Sequence, residues 1–100
     1  MGNIFQRKRP PRVINICGHK IKVRIKGYLE ADGQDLLGAW VPEIKTIYLL
    51  KNCDWRSVLL HEVMHAILSL SGANEGLSMT KEEGLVLALE YGLIQIILGK

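Results

Sequence analysis

Leu59-Leu60-His61-Glu62-Val63-Met64-His65-Ala66-Ile67-Leu68 is the stretch on which the reading of this chain turns. In an α-helix, residues four apart stand one turn above each other on the same face. His61 and His65 can therefore aim two imidazoles at one ion, while Glu62, about 100° round the helix, flanks them. That is the spacing of a zinc site with a built-in general base. Glu62 is too close in sequence to be a comfortable third ligand, but it can reach a water at the metal. Zinc lowers the pKa of such a water towards ~7, and the carboxylate takes its proton as it attacks a carbonyl.

Working outward, Asp54 is a good N-cap for a helix that starts at Trp55, runs to about Leu70 and stops at Gly72. Ala73 to Met79 reads as a loop, and Thr80 as the cap of a last helix extending to about Leu98. On the N-terminal side, Val13–Cys17 and Ile21–Ile25 form two strand-like runs around Gly18-His19-Lys20, a hairpin signal that puts His19 in the turn. In the second run Ile21, Val23 and Ile25 alternate with Lys20, Lys22, Arg24 and Lys26, so one face is buried and one is wet. Asp32-Gly33 is a turn signal. Leu36–Trp40 reads as a short strand, Val41-Pro42-Glu43 breaks it, and Ile44–Leu50 is a further strand completing a second hairpin. The expected class is α+β, with a small antiparallel sheet of three or four strands packed against the His-Glu-x-x-His helix and a C-terminal helix.

Two histidines do not complete a catalytic zinc site, which takes three protein ligands and leaves the fourth position open. No third histidine follows the motif: six residues past His65 stands Ser71. The remaining candidates are Glu75, Glu82, Glu83 and Glu90. On the last helix, Glu82, Leu85, Val86, Leu89, Leu93 and Ile96 fall in one wedge of about 100°. Glu82 is the one polar group there, and a carboxylate on a buried stripe needs a partner. Glu83 and Glu90 share another side, and Thr80-Lys81-Glu82-Glu83 matches a capping box that would occupy Glu83. The wedge therefore points to Glu82 as third ligand, with Glu83 as the alternative.

One hundred residues make one domain. The first twelve read as a basic flexible tail and residues 13–100 as the folded unit. The opening residues have cations but no apolar run behind them, and nothing reaches the ~18 apolar residues of a membrane span. Cys17 and Cys53 are not in metal-ligand spacing and read as free thiols in a reducing cytosol. Eight cations, Arg7, Lys8, Arg9, Arg12, Lys20, Lys22, Arg24 and Lys26, precede the first acid, Glu30. The other 74 residues carry five cations and ten acids. Such asymmetry allows contact with nucleic acid or an acidic partner, although no aromatic residues interleave with the cations for base stacking.

Taken together, the strand hairpin, the Gly-Ala-Trp strand, the Ile-Tyr-Leu strand, Leu-Leu-His-Glu-Val-Met-His-Ala-Ile, and Glu-Glu-x-Leu-Val-x-Ala-Leu with Gly92-Leu93 and Gln95 resemble the short zincin-type metallopeptidases common in phages and prophages. Those are similar to the minimal peptidase domains of the ImmA/IrrE and SprT groups. The likeness covers roughly Val13 to Leu98. It implies a zinc-dependent hydrolase of peptide bonds with Zn²⁺ on His61, His65 and Glu82 or Glu83, and Glu62 as base. It also implies an edge strand, Leu36–Trp40 or Ile44–Leu50, that receives an extended peptide or protein substrate in the cytoplasm. No residue is assigned as transition-state stabiliser: Tyr48 and Tyr91 offer hydroxyls, but each reads better as a core or rim tyrosine. The alternative is a zinc-stabilised module of a phage or host assembly that cuts nothing. Leu87, Ile94 and Leu98, with Tyr91 beside them, form a second apolar strip on the last helix and point to a homodimer or larger assembly.

Overall fold

The computed structural model describes residues 3–99. Its frame is set by the alternating run. Strand β2 (His19–Lys26) buries Ile21 and Val23 on one side and leaves Lys20, Lys22 and Arg24 exposed on the other. Strand β1 (Val13–Ile16) pairs with it antiparallel, Ile14 opposite Ile21 and Ile16 opposite His19. The connecting turn is Cys17-Gly18, both at positive φ (50° and 80°), as a two-residue hairpin turn requires. His19 is thus the first residue of β2 rather than a turn residue.

A short hairpin follows, β3 (Glu30–Ala31) with β4 (Gln34–Asp35), closed by Asp32-Gly33. Then β5 (Gly38–Val41) pairs antiparallel with β6 (Thr46–Leu50). Leu36 and Leu37 lie outside β5. Pro42–Ile44 is a 3-10 turn ended by Lys45 in the left-handed region (φ 48°), so Ile44 also falls outside its expected strand. The sheet order is β1-β2-β6-β5, and β6 runs parallel to β2 with Ile47 beside Val23 and Leu49 beside Ile25. The expected all-antiparallel sheet is therefore a mixed one. Each hairpin has the expected sense, but the two are joined through a parallel pair. Interior β6 leaves β5 as the edge of the second hairpin.

Helix α1 (Trp55–Ser71) begins at Asp54, whose Oδ2 accepts from Ser57 Oγ at 2.8 Å. It ends at Gly72 in the left-handed conformation (φ 79°). Leu59 and Ala66 join Ile14, Ile16, Ile21, Val23, Ile47 and Leu49 in the main core. Leu60 and Met64, on the adjacent side of α1, form a second cluster with Val86 of α2 (Met79–Leu98). Ser78, two residues before Thr80, caps α2 by accepting from the Lys81 N–H at 3.2 Å. The capping box expected to hold Glu83 is thus not formed.

Four of the six residues in the wedge expected to face the core are turned outward, and Glu82 and Val86 at its inner edge are not. Leu85, Leu89, Leu93 and Ile96 are 41%, 44%, 36% and 80% exposed. Val86 is the buried residue of α2, and Ile97 and Leu98 pack on its cluster. The segment read as a tail makes contacts from Asn3 onward. Asn3 Oδ1 caps a 3-10 turn, Ile4–Gln6, and Phe5 packs against both clusters. The Arg56 guanidinium donates to the carbonyls of Phe5 (2.7 Å) and Arg7.

Candidate metal centre

Helix α1 presents three sides in turn: Leu59 and Ala66 to the sheet, Leu60 and Met64 to the second cluster, and His61 with His65 to the first half of α2. The imidazoles lie 5.0 Å apart between ring centres, inclined at 64°. Glu62 points beneath them towards β5 and is buried, 9% exposed. Room for it comes from Gly38. A Cβ there would stand 2.5 Å from Val58 Cγ1 and 3.2 Å from Glu62 Cγ. The strand carries no side chain where the helix comes closest.

Three carboxylates of α2 meet the two rings. Glu83 reaches both Nε2 atoms, at 2.8 Å from His61 and 3.0 Å from His65. On the other nitrogens, Glu90 lies 2.8 Å from His61 Nδ1 and Glu82 lies 2.6 Å from His65 Nδ1. Each imidazole is therefore held between an outer carboxylate and the shared one. Burial pulls the His61 pKa down, but its bond to Glu90 and the charges of Glu62, Glu83 and Glu90 outweigh this and leave it raised. The Glu62 carboxyl is pushed up by burial; His61 and His65 oppose the shift, while Glu83 and Glu90 add to it.

This donor set suits a divalent cation. His61, His65 and Glu83 offer ligand atoms that all lie within 4.8 Å of one another. Ligands about 2.1 Å from a tetrahedral zinc are spaced about 3.4 Å apart, so a small outward shift of Glu83 would open the space. A cation there would sit among the two Nε2 atoms and the Glu83 carboxylate, while the outer carboxylates keep their hold on Nδ1.

The structure brings His61, Glu62 and His65 together as the motif predicts. The preferred third ligand, Glu82, lies on the outer nitrogen of His65, and Glu83 takes the inner position. A carboxylate at Nδ1 cannot also lie between the two Nε2 atoms. Glu90, placed with Glu83 on the side away from the apolar wedge, has a side chain only 16% exposed. A signal for it was present: Glu90 is the single charge in Leu85–Leu98 and stands two helical turns from Glu83. Glu75 is exposed in the connection between the helices.

Two clefts adjoin the centre. One, of about 360 Å³, is lined by Asp35, Leu36, Leu37, Val58 and Ser57 and reaches His61, Glu62 and Glu90. The other, of about 780 Å³, runs along Ala39, Trp40 and Val41 past Glu62, His65 and Glu83, with Tyr48 on its wall. Trp40 packs on the main core, and its buried indole N–H finds no acceptor among the described residues. Tyr91 is 87% exposed and lines neither cleft. His19 Nδ1 pairs with Lys45 Nζ at 2.8 Å. Part of the basic stripe serves internal contacts: Arg24 donates to the carbonyls of Arg12 and Val23, and Lys26 lies over the Tyr48 ring. No helix among the described residues is long and apolar enough to cross a membrane. Comparison with models of known protein families, with curated proteins and with solved structures gave no match to this chain.

Proposed function

We propose that the chain is a zinc-dependent metallopeptidase in which His61, His65 and Glu83 hold the ion and Glu62 is the general base. The observation that carries this reading is the convergence of two Nε2 atoms and one carboxylate beside a second, buried carboxylate. Bound there, zinc would polarise a peptide carbonyl and make water acidic near neutral pH. Glu62, its proton affinity raised by burial, accepts the proton of the attacking water and passes it to the departing amine. Glu82 and Glu90 act as positioning residues: each accepts from an Nδ1–H and so keeps the Nε2 lone pair directed inward. Edge strand β5 offers its backbone to an extended peptide, and the two clefts leave space on either side of the cut bond.

The test is a metal analysis joined to one substitution. Purified protein should carry one zinc per chain, and Glu62→Gln should retain that zinc while losing cleavage of a peptide library. Absence of any bound divalent metal overturns the reading. Zinc binding without cleavage in either protein would favour the second reading, a zinc-stabilised module that acts by binding alone.

A further inference from the structure

The outward side of α2 is uncharged from Gly84 to Gly99 and is made almost wholly of apolar and small residues. Of the fourteen exposed large hydrophobic residues among those described, seven lie on this helix: Met79, Leu85, Leu87, Leu89, Tyr91, Leu93 and Ile96. At 100° per residue, Gly84, Ala88 and Gly92 run up the middle of the exposed side, opposite Glu83, Val86 and Glu90. A Cβ added at Gly84 or Gly92 would meet no other atom within 4 Å. Leu85, Leu89 and Ile96 rise along one flank of this flat strip, with Leu87 and Tyr91 on the other.

The surface area points the same way. A folded monomer of 11.2 kDa is expected to expose about 5,700 Å². This chain exposes 6842 Å². The excess, roughly 1,100 Å² over the whole chain, is larger than the ~800 Å² that each partner contributes to a standard interface, so the chain has uncovered surface enough for one.

We infer that two copies of this chain pair through the outer face of α2, crossing at Ala88 about a two-fold axis. An isologous contact places each patch against itself. A charged patch would repel its copy, whereas this one has no charge to repel. Small residues four apart let two helix backbones approach closely, as in small-xxx-small packing. Leu85, Leu89 and Ile96 of each copy then flank the crossing. The metal-ligand side of α2 faces the other way, so pairing leaves His61, His65 and both clefts open. This inference does not depend on the peptidase reading.

The experiment uses the full chain. Light scattering at 10–100 μM should give about 22 kDa, twice the chain mass. Ala88→Glu should give a monomer with unchanged helical circular dichroism. Should that variant fail to fold, Ala88→Cys in a Cys17→Ser/Cys53→Ser background reports instead: mild oxidation should produce a disulfide-linked dimer, whereas Glu43→Cys in the same background should not. A wild-type monomer at 100 μM overturns the inference, including the case in which that monomer binds lipid vesicles. The choice of face is overturned by a dimer that persists in Ala88→Glu, or by cross-linking in the Glu43→Cys variant and not in the Ala88→Cys variant.

Discussion

Glu82 and Glu83 are sequence neighbours, yet about 100° of helix separates what they can touch. One meets His65 at Nδ1 and the other at Nε2. Their substitutions should therefore differ in degree. Glu83→Ala should abolish zinc retention, while Glu82→Ala and Glu90→Ala should each weaken it by about 10–100-fold, measured against a competing chelator. Equal losses at all three positions would remove the distinction between ligand and positioning residue. The histidine pair was legible in the sequence because its geometry needs nothing but a helix. The proposed third ligand was not, because leucines surround α2 on nearly every side and helical periodicity cannot select a buried face among them. Cys17 offers a simpler residue-scale test. It holds φ 50° in a tight turn before Gly18, a position suited to asparagine. Cys17→Asn should raise the melting temperature by a few degrees, consistent with about 0.5 kcal/mol in a domain of this size.

Among the elements, β5 and α1 meet most closely at Gly38. Gly38→Ala would press a methyl into Val58 and against the stem of Glu62, and overpacking of this kind costs about 1–3 kcal/mol. Denaturant titration should show that loss, and Val58→Ala in the same background should recover part of it. No recovery would mean that the backbone contact with the Tyr48 carbonyl, rather than Val58, sets the limit. Gly38 sits in a stretch the sequence marked as a strand, but its role follows from the approach of a helix twenty residues later. Sheet order was hidden for a similar reason. Alternation and turn residues identify each hairpin, whereas the parallel β2–β6 pair depends on how the hairpins pack together over α1. The limits of α1 were legible because Asp54 and Gly72 mark them locally, although the Asp54 carboxylate bonds Ser57 Oγ rather than a backbone N–H of the first turn.

For the whole molecule, α2 is the lightly held part, with one buried residue, Val86, against five in α1. Its first half leans on the carboxylate–imidazole contacts, so zinc bound across the two helices should clamp it. Chelation should speed amide exchange in residues 82–90 and lower the melting temperature, while β2 and β6 keep their protection. Identical exchange with and without zinc would show that the helix needs no clamp. The second cluster also gives the segment around Phe5 an unusual position in time. Phe5 packs on a cluster to which Ile97 and Leu98 contribute, and Arg56 holds the carbonyls on either side of Gln6. At 5–20 residues per second, roughly 5–20 s of synthesis separate Phe5 from those last residues. A chain still being made would thus have its first aromatic residue waiting on a half-built seat, and one cut short before Ile97 would leave it there.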